Sequence, residues 1–276
     1  MSGSMTPWLD VKDTMYEMRR WLCNKEPFLH IRYNDGEWNA MFNLKPTSNT
    51  TSGEHHYTKS ICTALFNTFE ELAKEILTKD ASHILVGATW QIEINLDSAQ
   101  AFDAHIKSKP GLLRKTRWCA GDVWYTTADE VAQTVDSKGT IELIDELRTG
   151  GHRVILVCNQ LVKKAAHCLG AAETILIPQV DAWKEAQQIL WKCQDEADQP
   201  GTVFVWCGGF PVKPISWEIY KQFPKCSHID LGHLFDGVFD HYNRGWLQRA
   251  ESEPPFYSHW RYLQQTFKPY VLGFIL

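Results

Sequence analysis

Six short runs of apolar residues constrain this chain more than any other feature. They cover 28–33, 83–87, 153–158, 174–177, 202–207 and 227–231, and each leads through a polar or glycine-containing turn into a helical pattern. A strand with one wet face alternates apolar and polar residues. A run that stays apolar throughout reads as a strand covered on both faces, the condition found inside parallel sheets flanked by helices. Between the runs the period changes to that of a helix. Ile61, Leu65, Phe69, Leu72 and Ile76 fall on one side at spacings of three and four. Thr127 with Glu130 reads as a capping box opening a short helix. Asp181 reads as the N-cap of a helix over 182–193, whose apolar side is Trp183, Ala186, Ile189 and Leu190. Strand and helix alternate in this way along the chain. The expected fold is therefore α/β and Rossmann-like, a mostly parallel sheet of about six strands with helices on both faces.

No Pro/Gly linker interrupts the alternation, so residues 1–276 read as a single domain with its core over about 27–240 and a helical or extended C-terminal extension over 241–276. Residues 1–5 read as a cloning remnant without the charged and apolar regions of a signal peptide, and the apolar stretch 270–276 is too short to span a bilayer. The 8 cysteines include no CxxC pair, and those at 158 and 207 lie inside strand-like runs. They read as reduced, structural thiols of a cytoplasmic protein, bacterial or viral within a host cell. A net charge of -5 argues against a whole-surface affinity for nucleic acid or anionic membrane. Twelve tryptophans in 276 residues call for either core packing or stacking surfaces. Trp21, Trp191 and Trp217 read as helix-face core, whereas Trp38, Trp90, Trp183 and Trp206 fall at or beside strand carboxyl ends.

Ligands of open parallel sheets bind outside those carboxyl ends, and the residues just past each run carry the chemistry. The segment Arg32-Tyr33-Asn34-Asp35-Gly36-Glu37 places two carboxylates around a glycine, an arrangement able to hold one hard divalent cation. Mg²⁺ or Mn²⁺ bound in this way completes its shell with water and substrate phosphate, to which Arg32 can add a charge-assisted contact. After the fifth run come Gly208 and Gly209, a turn whose backbone amides can cradle phosphate ahead of a helix. Asn159, Trp38 and Trp90 complete the expected nucleotide-side set. Past the fourth and sixth runs stand Asp181, His233 and Asp236, candidates for a general base. The polar stretch 45–58 reads as a surface loop or a lid over the site. Adjacent His55 and His56 make poor chelators of one metal, and Cys226, His228, His233 and His241 lack zinc-ligand spacing. No GxSxG, HExxH or P-loop motif is present, which removes the common hydrolase, zinc-protease and NTPase readings.

The Arg-aromatic-Asn-Asp-Gly-Glu segment at 32–37 resembles the Asp-x-Glu motif of the bacterial glycosyltransferases of the GT-D fold, with Asn34 where that family usually has glycine. The match continues through Ile177-Pro178 with Ala182-Trp183, the glycine turn at 208–209, and Ile229-Asp230-Leu231-Gly232-His233. The resemblance implies transfer of a sugar from a nucleotide-diphosphate sugar, UDP-linked, to an acceptor hydroxyl on a glycan. It implies Mn²⁺ or Mg²⁺ on Asp35 and Glu37, with Arg32 and the Gly208-Gly209 amides holding the nucleotide. It leaves open the donor sugar, retention or inversion, and the oligomeric state.

Two other readings stand beside it. One keeps the chemistry but takes hydroxymethylated bases of DNA as acceptor, resting on the basic-aromatic cluster Arg114, Lys115, Arg117 and Trp118. The other is a non-catalytic module that binds nucleotide sugars.

Overall fold

The computed structural model of the chain describes residues 8–9, 11–33, 37, 40–41, 58–78, 83–88, 124–127, 136–239, 263, 265–267 and 269. Among the described residues the sheet has 8 strands. In chain order they are β1 (Trp8–Leu9), β2 (Leu29–Tyr33), β3 (Ile84–Ala88), β4 (Trp124–Thr127), β5 (Arg153–Cys158), β6 (Glu173–Leu176), β7 (Thr202–Cys207) and β8 (Ser227–Asp230). Across the sheet the order is β1-β4-β3-β2-β8-β7-β5-β6, and every pairing is parallel. The continuous apolar runs are strands buried on both sides: all of β2, all of β7 and all but the first residue of β5.

The sequence reading is short by two strands. β1 spans 2 residues, too few to carry a pattern. β4 contains Thr127 as its last residue, so the threonine read as a cap closes a strand, and the helix expected after it lies outside the described residues. β1 also precedes residue 27, and Leu263 and Phe267 are fully buried in the main core. The fold thus draws on segments at both ends of the chain.

Helices cover both faces. On one side lie α1 (Val11–Asn24), α3 (Ser137–Thr149), α4 (Ala165–Leu169) and α7 (Leu234–Val238). On the other lie α2 (Lys59–Thr78), α5 (Ala186–Ala197) and α6 (Val212–Gln222). α2 begins where Thr58 accepts a hydrogen bond from the Ile61 amide at 3.5 Å, and it buries Ile61, Leu65, Phe69 and Leu72 as their spacing predicts. α3 starts on Asp136, whose carboxylate accepts from the Gly139 amide at 3.1 Å.

Asp181 precedes a 3₁₀ turn and not the long helix expected over 182–193. It takes a left-handed φ of 54°, makes no capping bond and pairs instead with Lys184 at 2.6 Å. A 3₁₀ turn over Ala182–Glu185 follows, and only then does α5 begin. α5 turns Ile189, Cys193 and Ala197 inward, which leaves Trp191 on the opposite side, 59% exposed and not in the core as expected. Trp206 departs in the other direction: it is fully buried within β7. Its ring lies near-parallel to His228, which also stacks on Phe204, and its Nε1 donates to His228 Nδ1 at 3.2 Å.

The described cysteines are all free, and apart from Cys23 they are buried. Burial pushes the Cys158 and Cys168 thiols up to about 12, so they pack as small apolar groups. Among the described residues no helix is long and apolar enough to cross a membrane.

Burial also holds His228 neutral, with its pKa lowered to about 3. An unfolded histidine titrates near ~6.5, so below that pH the unfolded chain takes up a proton that the folded chain refuses. Stability is whole above ~6.5 and is lost as pH falls toward 3, by about 1.4 kcal/mol per pH unit for each such histidine. Urea unfolding at pH 7, 5.5 and 4.5 should show a shallower acid loss in His228→Asn than in the parent. Equal slopes would mean that His228 is not held neutral.

Candidate active site

A polar cluster closes the carboxyl edge of the sheet where its two halves meet, at β2 and β8. Arg32 is the fourth residue of β2 and Asp230 the last of β8. A charged side chain within a strand covered on both faces must find a partner, because burying it alone costs far more than a side chain's packing returns. Here Arg32 and Asp230 answer each other. The Asp230 carboxylate accepts from the Arg32 backbone amide at 3.3 Å, from Arg32 Nη2 at 3.4 Å and from the Gly232 amide at 3.0 Å.

Lys213 joins them from the first turn of α6. Its ammonium lies 2.7 Å from Asp230 Oδ2, 3.1 Å from Glu37 Oε1 and 3.2 Å from the Gly209 carbonyl oxygen. An ammonium has three hydrogens, and all three find acceptors. Lys213, Arg32, Asp230 and Glu37 are each no more than 5% exposed. Two cations and two carboxylates thus form a compact, neutral, buried quartet. Burial by itself would raise the Asp230 pKa, but the charges of Lys213 and Arg32 pull it down to about 2. Burial keeps neighbouring His30 neutral, its pKa lowered to about 3, and holds the Tyr33 phenol protonated.

Glycines make room for this arrangement. Gly232 has a φ of +54°, and a methyl group there would collide with the Arg32 guanidinium. At Gly208 a methyl group would strike Ile177 and Val212, so that glycine serves close packing of the turn.

The structure brings together some of the expected residues and separates others. Glu37 and Arg32 meet in the quartet, but the Arg32 charge is matched by Asp230 beneath Gly232 and is not held out toward solvent. Gly209 takes part through its carbonyl. Asn159 caps the short turn after β5, accepting from the Leu161 amide at 2.9 Å. His233 follows Gly232 directly, Asp236 lies in the first turn of α7, and Asp181 sits beyond β6 with Lys184. Asp35, Trp38, Trp90, the 45–57 part of the lid reading and the cluster at 114–118 lie outside the described residues.

Sequence reasoning assigned no role to Lys213 or Asp230, the two residues that knit the site. The signal was present in each case. Asp230 stands inside the 227–231 run between Ile229 and Leu231, and Lys213 stands alone in Phe210-Pro211-Val212-Lys213-Pro214-Ile215. A lone charge in such a setting demands a counter-charge, although only the fold says which one.

Among the described residues no group of three or more His, Cys, Asp or Glu stands ready to hold a metal by itself. The chemistry present suits Mg²⁺ or Mn²⁺ held in the other way, by one or two carboxylates with phosphate and water completing the shell. Glu37 is a hard oxygen donor fixed at the correct edge of the sheet, and it fits that role.

No protein-family model matches the chain, and no curated protein sequence matches it. Solved structures do. A glycosyltransferase containing the domain of unknown function 1792, from Streptococcus sanguinis, aligns with a TM-score of 0.55 and 13% identity, over 89% of this chain and 85% of that one. A second structure of the same domain, described as having a distinct glycosyltransferase fold, aligns with a TM-score of 0.52 and 14% identity, over 88% and 82%. At this identity the likeness shows the fold, and the GT-D architecture expected from the motifs is the one this chain adopts.

Removing the Lys213 ammonium takes away the cation that faces the buried carboxylates of Glu37 and Asp230. Lys213→Met should cost about 3–5 kcal/mol in urea unfolding. Pairing it with Glu37→Gln should recover part of that loss, so a strictly additive double-mutant cycle would contradict the coupling.

Proposed function

We propose that the chain is a metal-dependent glycosyltransferase that moves a sugar from a nucleotide-diphosphate sugar, UDP-linked, to an acceptor hydroxyl on a glycan. The observation that carries this reading is the buried quartet at the carboxyl edge of a GT-D sheet. It joins Glu37 of the Asp-x-Glu segment, the glycine turn after β7 and the Asp230-Gly232 turn after β8 into one rigid unit. These are the segments on which the resemblance to the family rests.

Asp35 and Glu37 would hold Mn²⁺ or Mg²⁺. When bound, the ion would act as a Lewis acid toward the departing diphosphate. The chain's own residues supply the setting. Lys213 fixes the Glu37 carboxylate so that it need not reorganise when the donor arrives, the condition under which electrostatic stabilisation is most effective. Asp230, itself paired with Arg32, anchors Lys213. His233 and Asp236, which follow the Gly232 turn, and Asp181 remain the groups suited to accept the acceptor proton. The buried free thiols suit a reducing cytoplasmic setting.

Thermal-shift measurements with UDP-sugars test the reading. A UDP-sugar should raise the Tm only when Mn²⁺ or Mg²⁺ is present, and indifference to every nucleotide would defeat the proposal. Asp35→Asn and Glu37→Gln should each lower turnover about 100-fold or more while a folded protein remains. Substitutions that weaken binding without abolishing turnover would argue against a metal role for the pair.

A further inference from the structure

A cleft of about 490 Å³ opens on the face covered by α2, α5 and α6, outside the quartet. It lies within the range of small-ligand sites, ~300–1,000 Å³. Its upper end is formed by Trp183, Lys184 and Pro214, all in segments that leave strand carboxyl ends. From there it runs down between the helices to Glu71 and Lys221. Pro214 is the residue after Lys213, so the cleft begins one helix position from the quartet.

We infer that this cleft is a binding site for a carbohydrate chain, and that it holds the acceptor glycan of the transfer proposed above, on which the inference rests in part. The lining has the chemistry that sugars require. A sugar ring offers an apolar C–H face and a rim of hydroxyls, so its site needs flat aromatic surface beside amides and carboxylates. Trp183 is half-buried, and its orientation is fixed because its Nε1 donates to Ser60 Oγ at 3.0 Å. The segment after β6 therefore leans across to the start of α2 and walls the cleft. Trp217 forms the floor, its Nε1 donating to Glu71 at 2.9 Å, while Lys221 lies 2.8 Å from the same carboxylate. Asn67 and Gln187 are exposed on the two sides and offer both donors and acceptors to vicinal hydroxyls.

Charge points the same way. The lining holds two carboxylates, Glu71 and Glu218, and two ammonium groups, Lys184 and Lys221, with Lys221 paired to both carboxylates. The cleft is therefore polar without a strong field of one sign, a setting suited to a neutral polyhydroxyl ligand more than to a phosphate. At its rim Lys184 pairs with Asp181, one of the groups proposed above to accept the acceptor proton.

Saturation-transfer NMR on the whole chain with chitotetraose, cellotetraose and maltotetraose tests this. At least one should receive saturation at its ring C–H protons. Trp183→Ala should weaken that binding about tenfold, and Asn67→Ala with Gln187→Ala should weaken it independently. Absence of binding by all three at millimolar concentration, or binding indifferent to both variants, would overturn the inference. Thermal shift of the unsubstituted protein with UDP-glucose and UDP-galactose plus Mn²⁺ separates the two readings. Donor binding without saccharide binding defeats the cleft alone, whereas saccharide binding without any donor response defeats the transferase reading and leaves the cleft standing.

Discussion

The site depends on one ammonium group. Lys213 reaches Glu37, Asp230 and the Gly209 carbonyl at once, and so binds together the segments that follow β2, β7 and β8. These strands are neighbours in the sheet, in the order β2-β8-β7. Without a buried cation at that junction, Glu37 and Asp230 would confront each other with Arg32 as the one countercharge in the quartet. Buried ion pairs seldom add net stability, because desolvation offsets most of the attraction. Their value here is geometric: four charges with mutually satisfied partners can take few alternative arrangements, so the Glu37 carboxylate is held in place.

Aromatic residues divide between two tasks. Trp206, Phe204 and His228 stack inside the sheet, and Trp21 and Trp217 pack beneath helices. Trp183 and Trp217 both line the open cleft with rings fixed by hydrogen bonds, and of the two Trp217 is buried while Trp183 is the half-buried one. Its neighbour Asp181, strained into a left-handed conformation, turns the chain so that the 3₁₀ segment leans toward α2. The exception to capping chemistry at Asp181 therefore coincides with the wall of a binding cleft, which is where departures from local rules are expected.

The sequence carried the fold class because periodicity is a local record of burial. Six runs became strands, and the Ile61-Leu65-Phe69-Leu72 stripe became the inner side of α2. Trp8–Leu9 was too short to register, and Thr127 offered a cap and a strand end with equal local merit. Trp191 and Trp206 were misplaced for a related reason. Apolarity says that a ring prefers burial, yet which helix side faces inward follows from where the sheet lies.

The carboxyl-edge residues Arg32, Glu37, Gly209 and Gly232 could be named from sequence, since an apolar run that stops at a charge or a glycine marks a strand end. Their partners could not. Arg32 and Asp230 are 198 positions apart and meet only because β8 returns to lie beside β2. Lys213 completes the set because α6 starts above that same junction. A chain determines by itself which residues must be buried and which buried charges must be answered. Which residue answers them is decided by strand order, a long-range choice that no local pattern encodes.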